Sequence, residues 1–373
     1  MKKLFAMAVT VMTLTSMLPM SAFADNATLT DDEIRSRNLE TIQDFRNASM
    51  EGSADFYVED AVRSMPFFPP DGAYWQGIDD IRKNGELNAE RFGDFDYTYY
   101  NIHSCVDPNV FWVEAGGASS NTDLSEDAND ADAAGSTYET SYVLYIEFND
   151  EGKIADFREY TSPINLFPAL GIEVPDMELP DYAVSRTEIY GEDDPLYAEH
   201  EVLVSDDIEN AEEIRAKNIE AIKELHSAML TDESSFYADD AVRSLPFFPP
   251  NGAYWKGIDD IKKNAELNAE RFGNFEYSYL DIHSTLDPNV FWVEAAGSSS
   301  NTDLSEDAND AEAADSTYET SYVIYVEFND EGKVVDYREY MSPLNLFPAL
   351  GIEVPEMTLP DYAVGYSEVY GDR

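Results

Sequence analysis

The chain has 373 residues, 76 acidic side chains against 23 basic ones, and a formal net charge of −53 at neutral pH. That balance repels phosphate backbones and anionic lipid surfaces, whose recognition depends on Lys and Arg displacing counterions, so neither nucleic acid nor a membrane surface is expected as a partner. Aromatic residues make up 13% and hydrophobic residues 43% of the chain, enough to bury a core and too much for a disordered acidic polymer.

In chain order, the first residues read as a targeting segment. Lys2 and Lys3 form a short basic start, Leu4 to Leu18 is apolar, and Ala22-Phe23-Ala24 has the small-x-small pattern of a cleavage site. This predicts a signal peptide over residues 1–24 and a secreted product, extracellular or periplasmic, beginning at Asp25. No Cys follows the apolar run, so no lipid anchor is expected, and no later stretch approaches the ~18 apolar residues of a membrane span. The single cysteine, Cys105, cannot form an internal disulfide and is expected as a small buried residue in a strand.

The dominant feature is an internal repeat. Ser64–Ile81 (SMPFFPPDGAYWQGIDDI) returns as Ser244–Ile261 (SLPFFPPNGAYWKGIDDI), and Ala61–Tyr182 differs from Ala241–Tyr362 at 25 of 122 positions with no gap. Each unit, at roughly 160 residues, has the size of a whole domain rather than of a solenoid repeat. The expected organisation is a first domain over 25–192, a polar linker over 193–210 and a second domain over 211–373.

Within the first copy, Thr30-Asp31-Asp32 caps an amphipathic helix carrying Ile34, Leu39, Ile42 and Phe45. Ser53–Glu59 reads as a short helix or turn, Pro69-Pro70-Asp71-Gly72 as a tight turn, and Gly77–Phe92 as a second helix. Strands follow over Asp94–Ser104 and Val110–Ala115. Thr137–Phe148 then places Tyr138, Thr140, Tyr142, Leu144, Ile146 and Phe148 on one face by strict period two. Asn149-Asp150-Glu151-Gly152 turns the chain into a returning strand, Lys153–Thr161, and a short helix over Asn165–Leu170 closes the unit. Helices first and then an antiparallel sheet make an α+β plan.

Two phrases carry a family resemblance: DPNVFWVE (Asp107–Glu114) and FREYTSPINLFPALGIEVP (Phe157–Pro175), both recurring in the second copy at Asp287–Glu294 and Tyr337–Pro355. They resemble the phenazine-biosynthesis A/B family (PhzA/PhzB), within the SnoaL-like, ketosteroid isomerase-like, nuclear transport factor 2-like superfamily. The resemblance implies two cone-shaped domains, each with its N-terminal helices packed in a curved antiparallel sheet around a pocket. Because the family is homodimeric with sheets back to back, it also implies an intramolecular pseudo-dimer in a monomeric chain, the tether replacing association.

It implies a chemistry as well: condensation of two amino-cyclohexenone carboxylates to a tricyclic precursor. The family's acid/base glutamate on the last strand falls on Glu159 and Glu339, the catalytic candidates. Its assisting helix histidine, aligned through Gly77, falls on Asn84 and Asn264, and a nearby small hydroxyl falls on Asn88 and Asn268. Asparagine orients by hydrogen bonds but transfers no proton. Further substrate-binding candidates are Arg63 and Arg243, bases in a base-poor chain suited to gripping a carboxylate, with Trp75, Trp255, Tyr142 and Tyr322. The aromatics Phe67, Phe68, Tyr74, Tyr97, Tyr99, Phe111 and Trp112 are candidates for the pocket wall. If Glu159 faces inward, Arg158 and Tyr160 face the pseudo-dimer interface.

Other residues read more plainly. Glu139 and Glu319 are expected exposed. His103 and His283 lie in a strand, while His200 and His226 have no counterpart in the other copy, and no metal-ligand cluster is expected around any of them. The acidic insert Ser119–Thr137 spaces Asp123, Ser125, Asp127 and Asn129 faintly like a calcium loop, but lacks the required Gly and Glu, and is expected as a solvated hairpin extension. No cofactor and no metal is expected. Two function classes stay open: acid/base-assisted condensation or isomerisation of a cyclic carboxylate, and non-catalytic capture of a hydrophobic or aromatic metabolite.

Overall fold

The computed structural model describes residues 29–69, 72–124, 136–174, 179–184, 186–190, 208–228, 233–249, 252–304, 314–350, 352–354, 360–364 and 369. The expected signal peptide over 1–24, most of the expected linker with His200, and insert residues 125–135 lie outside them. No helix among the described residues is long and apolar enough to cross a membrane.

The first copy opens with α1 (Asp31–Asn47), capped as its sequence asks: Thr30 Oγ1 accepts from the Glu33 amide, and the Glu33 carboxylate accepts from the Thr30 amide. Ile42 faces the core, and the buried Asn38 ties the helix to the sheet by donating to Pro108 O and Asn109 Oδ1 at 3.1 and 3.2 Å. There follow β1 (Tyr57–Met65), β2 (Ala73–Gln76), α2 (Ile78–Phe92), β3 (Phe95–Ser104), β4 (Val110–Thr122), β5 (Ser136–Phe148) and β6 (Ile154–Thr161). Gly77 holds φ at 89°, which lets the chain leave β2 and enter α2 within one residue.

The six strands form one sheet in the order β2-β1-β6-β5-β4-β3. Every pairing is antiparallel except β1 with β6, which is parallel. After α3 (Arg186–Tyr190), the second copy repeats the plan as α4 (Ala211–Ala228), β7 (Tyr237–Leu245), β8 (Ala253–Lys256), α5 (Ile258–Phe272), β9 (Glu276–Ser284), β10 (Val290–Asp303), β11 (Ala314–Phe328) and β12 (Val334–Met341). Its sheet order, β8-β7-β12-β11-β10-β9, is the same.

Three elements depart from the sequence reading. The strand β1 had no visible alternation because its register against β6 slips between Tyr57 and Val62, and two exposed residues fall side by side there. The strand β4 runs on from Ala115 through small residues to Thr122. Gly117 in that run leaves room for Phe95, whose ring a Cβ would meet at 2.2 Å. The insert therefore begins inside the fold rather than in solvent: Ser119, Thr122 and Leu124 are buried, and Leu124 packs with Tyr138, Leu166, Ala169 and Leu170. The closing helix over Asn165–Leu170 is instead two 3-10 turns, Pro163–Leu166 and Pro168–Leu170.

Each sheet has two buried faces. The inner face of the first packs Trp75, Phe111, Val113, Tyr142, Leu144, Ile146 and Phe157 against Ile42 and Ile81 of the helices. The outer face meets the outer face of the other copy. There Trp112 stacks on Trp292 with ring centroids 5.2 Å apart and planes 10° from parallel, among Val143, Tyr145, Tyr160 and their counterparts Val323, Tyr325 and Tyr340. Cys105 and Thr285 bridge across this contact, with the Val106 amide donating to Ser284 O and the Leu286 amide to Ser104 O. The tails also cross. Val184, at the end of the first copy, exchanges backbone hydrogen bonds with Tyr254 on β8, and Val364 does the same with Tyr74 on β2.

Candidate functional site

Alternation along β6 decides the site. Phe157, Glu159 and Thr161 point to the inner face, while Arg158 and Tyr160 point outward. On β1, Arg63 lies opposite Trp75 of β2 on one side and Phe157 of β6 on the other. Its guanidinium therefore meets the Glu159 carboxylate beneath α2. Nε and Nη2 both reach Oε2, at 2.8 and 2.6 Å, and Nη1 donates to Asn84 Oδ1 at 3.0 Å. Asn88 Nδ2 reaches the same Asn84 oxygen at 3.3 Å. Four candidates thus form one chain of bonds, Glu159–Arg63–Asn84–Asn88, of which only Asn88 is more than marginally exposed.

This pair is buried, with side chains 10% and 4% accessible. Burial alone pulls the Arg63 pKa down, but Glu159 and the nearby phenols of Tyr57 and Tyr97 outweigh it, and Arg63 stays firmly charged. Because both bonds land on Oε2, the other carboxylate oxygen, Oε1, accepts no hydrogen bond among the described residues. Tyr142 and Tyr138 stand on β5 beside it, fully buried, and burial raises both phenols, Tyr138 to about 12. Among the described residues, the buried indole N–H of Trp75 has no hydrogen-bond partner, nor has that of Trp255. The seam indoles of Trp112 and Trp292 are orphaned too, but on the inner face such a donor lies where a ligand acceptor can meet it.

The second copy rebuilds the centre. Arg243 Nε and Nη2 reach Glu339 Oε2 at 3.0 and 2.8 Å, Asn264 is buried at the matching place on α5, and Asn268 follows one turn on. Tyr318 and Tyr322 stand where Tyr138 and Tyr142 do. Glu139 and Glu319 are exposed.

Not every expected wall residue is on this face. Trp112 and Phe67 belong to the contact between the sheets, and Tyr74 spends its backbone on the crossed tail. Trp112 sits one residue out of phase with Phe111 and Val113, so it must face away from them. Two inner-face groups were not among the site candidates. Thr161 and Thr140 share a hydrogen bond of 2.7 Å, which Asn165 Nδ2 extends to Thr140 at 2.8 Å. In the second copy His226 meets Tyr337; that His226 lacks a counterpart was the available signal.

The outer face holds the other charged centre. Arg338 pairs with Glu114 of the first copy at 2.7 Å and with Asp336 of its own strand at 2.6 Å, and Tyr340 donates to Glu114. Arg158 likewise pairs with Glu294 of the second copy and with Asp156 of its own strand, and Tyr160 donates to Glu294. Burial pulls the Glu114 pKa up, but Arg338 with the hydroxyl of Tyr340, His103 and Asn101 holds it down at about 2. Glu294 is likewise opposed by burial and held at about 2 by His283, Arg158 and Tyr160. Contrary to the sequence reading, His283 does stand in a trio with metal-ligand spacing, Asp281–His283–Glu294. Glu294 in it is already engaged by Arg158 and Tyr160. Half-buried His103 is pushed down to about 4, chiefly by desolvation.

A family model described as phenazine biosynthesis protein A/B matches residues 20–182 and again 200–361. Phenazine biosynthesis protein PhzA1 of Pseudomonas aeruginosa is 26% identical over 152 residues, which cover 40% of this chain and 89% of that protein. A crystal structure of a phenazine biosynthesis-related protein from the same species is 22% identical with a TM-score of 0.36, covering 40% of this chain and 96% of that one. A SnoaL-like polyketide cyclase from Jannaschia is 15% identical with a TM-score of 0.30, covering 38% and 96%.

Proposed function

The chain belongs to the phenazine biosynthesis protein A/B family, and from that premise we propose that it is an exported small-molecule protein whose two inner sites act on a small cyclic carboxylate by acid/base-assisted condensation or isomerisation. The observation that carries this is the buried arginine–glutamate pair repeated on β1/β6 and β7/β12. In each, one carboxylate oxygen is held by the guanidinium and the other is left to take a proton from a bound ring. Charge that develops on the ligand during that transfer lies beside a fixed arginine in a water-poor site, where it is stabilised most. Asn84 and Asn88 orient, and the Trp75 N–H offers a donor to the ligand.

The secreted location rests on the segment before residue 25, and the divisions at 192 and 210 rest on the repeat. A second reading, capture without catalysis, is favoured by one feature: Asn84, where the family's histidine is expected, is hydrogen-bonded to Arg63 and cannot shuttle a proton.

The test is formation of the tricyclic product from an amino-cyclohexenone carboxylate, followed by mass spectrometry with residues 25–373 and with Glu159→Gln/Glu339→Gln. Acceleration that disappears in the double variant supports the enzyme. Binding without acceleration in the folded wild type leaves the capture protein.

A further inference from the structure

The two inner sites are near copies, yet the residues flanking the central glutamate are among the few positions at which the copies differ. On β6 the inward order is Phe157, Glu159, Thr161; on β12 it is Tyr337, Glu339, Met341. Polar and apolar have exchanged places about the carboxylate. We propose that the two sites select ligand groups of opposite arrangement: the first recognises a hydrogen-bonding substituent on the Thr161 side of the glutamate, the second on the Tyr337 side.

Packing around each change supports this. In the first copy Phe157 lies against Phe45 at 5.2 Å and edge-on to Tyr57 at 6.1 Å, with no hydroxyl of its own, while Thr161 belongs to the hydroxyl pair with Thr140 and donates to Ser141 O. In the second, Phe45 is replaced by Leu225 and Arg46 by His226. The smaller Leu225 accompanies a Tyr in place of Phe157, and His226 supplies the partner that its hydroxyl needs. His226 Nδ1 lies 2.7 Å from Ile222 O, a carbonyl that can only accept, so Nδ1 carries the hydrogen. Nε2 is then the acceptor, and Tyr337 donates to it at 3.3 Å.

Burial pushes His226 down to about 4, so the imidazole is neutral near pH 7 and this assignment holds there. With its hydrogen committed, the Tyr337 oxygen is left as an acceptor, 5.8 Å between ring and guanidinium from the Arg243 that binds Glu339. It suits a ligand N–H or O–H donor. At the other end, Tyr318 donates to the Met341 sulfur at 3.8 Å where the first copy has the Thr161 hydroxyl, while Thr320 keeps the place of Thr140 and accepts from Asn345.

The inference rests on the small-molecule reading above. Its test is calorimetric titration of residues 25–373 with an amino-cyclohexenone carboxylate and with the same ring lacking the amine. The expected result is two sites differing about three- to tenfold for the amine, the worth of one net hydrogen bond, and closer to equal for the deamino ring. Tyr337→Phe/Met341→Thr, which places the first copy's residues on either side of Glu339, is expected to merge the two sites. The reciprocal Arg46→His/Phe157→Tyr/Thr161→Met keeps the question open to measurement if that variant does not fold. Two equal sites in the wild type, or a difference that neither variant alters, overturns the inference and leaves the small-molecule reading standing. Binding of neither ring overturns both.

Discussion

Glu114→Gln tests how the two sheets are held together. The substitution keeps the shape of the side chain and removes the charge that Arg338 faces across the seam. With a folded pKa of about 2 against an ordinary 4.5, Glu114 contributes on the order of 3 kcal/mol of stability at neutral pH. Since the folded value is the depressed one, that contribution is present in full above pH 4.5 and is lost as the pH falls toward 2. Buried Arg338, left facing a neutral amide, raises the cost of the variant to about 3–5 kcal/mol at pH 7.

Chemical denaturation of wild type and variant across pH 7 to 2 reads this directly, because the other carboxylates titrate in both and cancel in the difference. The gap between the two proteins is expected to narrow by about 3 kcal/mol between pH 4.5 and 2. A gap of the same size at pH 7 and pH 2.5 refutes the reasoning. Glu294→Gln should behave alike, since Arg158 and Tyr160 hold that carboxylate in the mirrored arrangement.

Other outcomes follow from the same geometry. Cys105, buried with its thiol pushed up to about 12, chiefly by desolvation, should label with a thiol reagent only after denaturant is added. Trp112→Ala should cost about 3–5 kcal/mol and abolish the near-ultraviolet dichroism of the stacked indoles, whereas Trp75→Ala should leave that signal. Truncation before residue 360 removes Val364 from the edge of β2. Amide exchange at Tyr74 should then speed up while Tyr254, still paired with Val184, stays slow.

Much of this architecture was written in spacings. Period two through Thr137–Phe148 sorted the inner from the outer face of β5, and the same parity on β6 put Glu159 inward and Arg158 and Tyr160 at the seam. What stayed hidden depends on contacts between distant segments. A slipped register erased the pattern of β1, and with it the neighbours of Arg63. Gly116 to Thr122 has small side chains that give no hydropathy signal, though β4 and β5 pair there. Trp112 was grouped with Phe111 as a wall residue because adjacency, rather than phase, was used for it. Glu114 gave no sign of its role, since its partners Arg338 and Tyr340 lie 224 and 226 residues away.

The crossed tails and the fused copies have a consequence for how this molecule can change. In an assembly of two identical chains, every substitution is made twice, and a residue that improves one chamber must be tolerated in the other. Here each half always meets its sister and never its twin. The seam has the same stacked tryptophans and mirrored ion pairs on both sides, while Phe157 and Thr161 in one half stand as Tyr337 and Met341 in the other. With Val184 and Val364 each stitched into the edge of the opposite sheet, the halves stay matched while their interiors drift apart, and one gene can come to carry two trades.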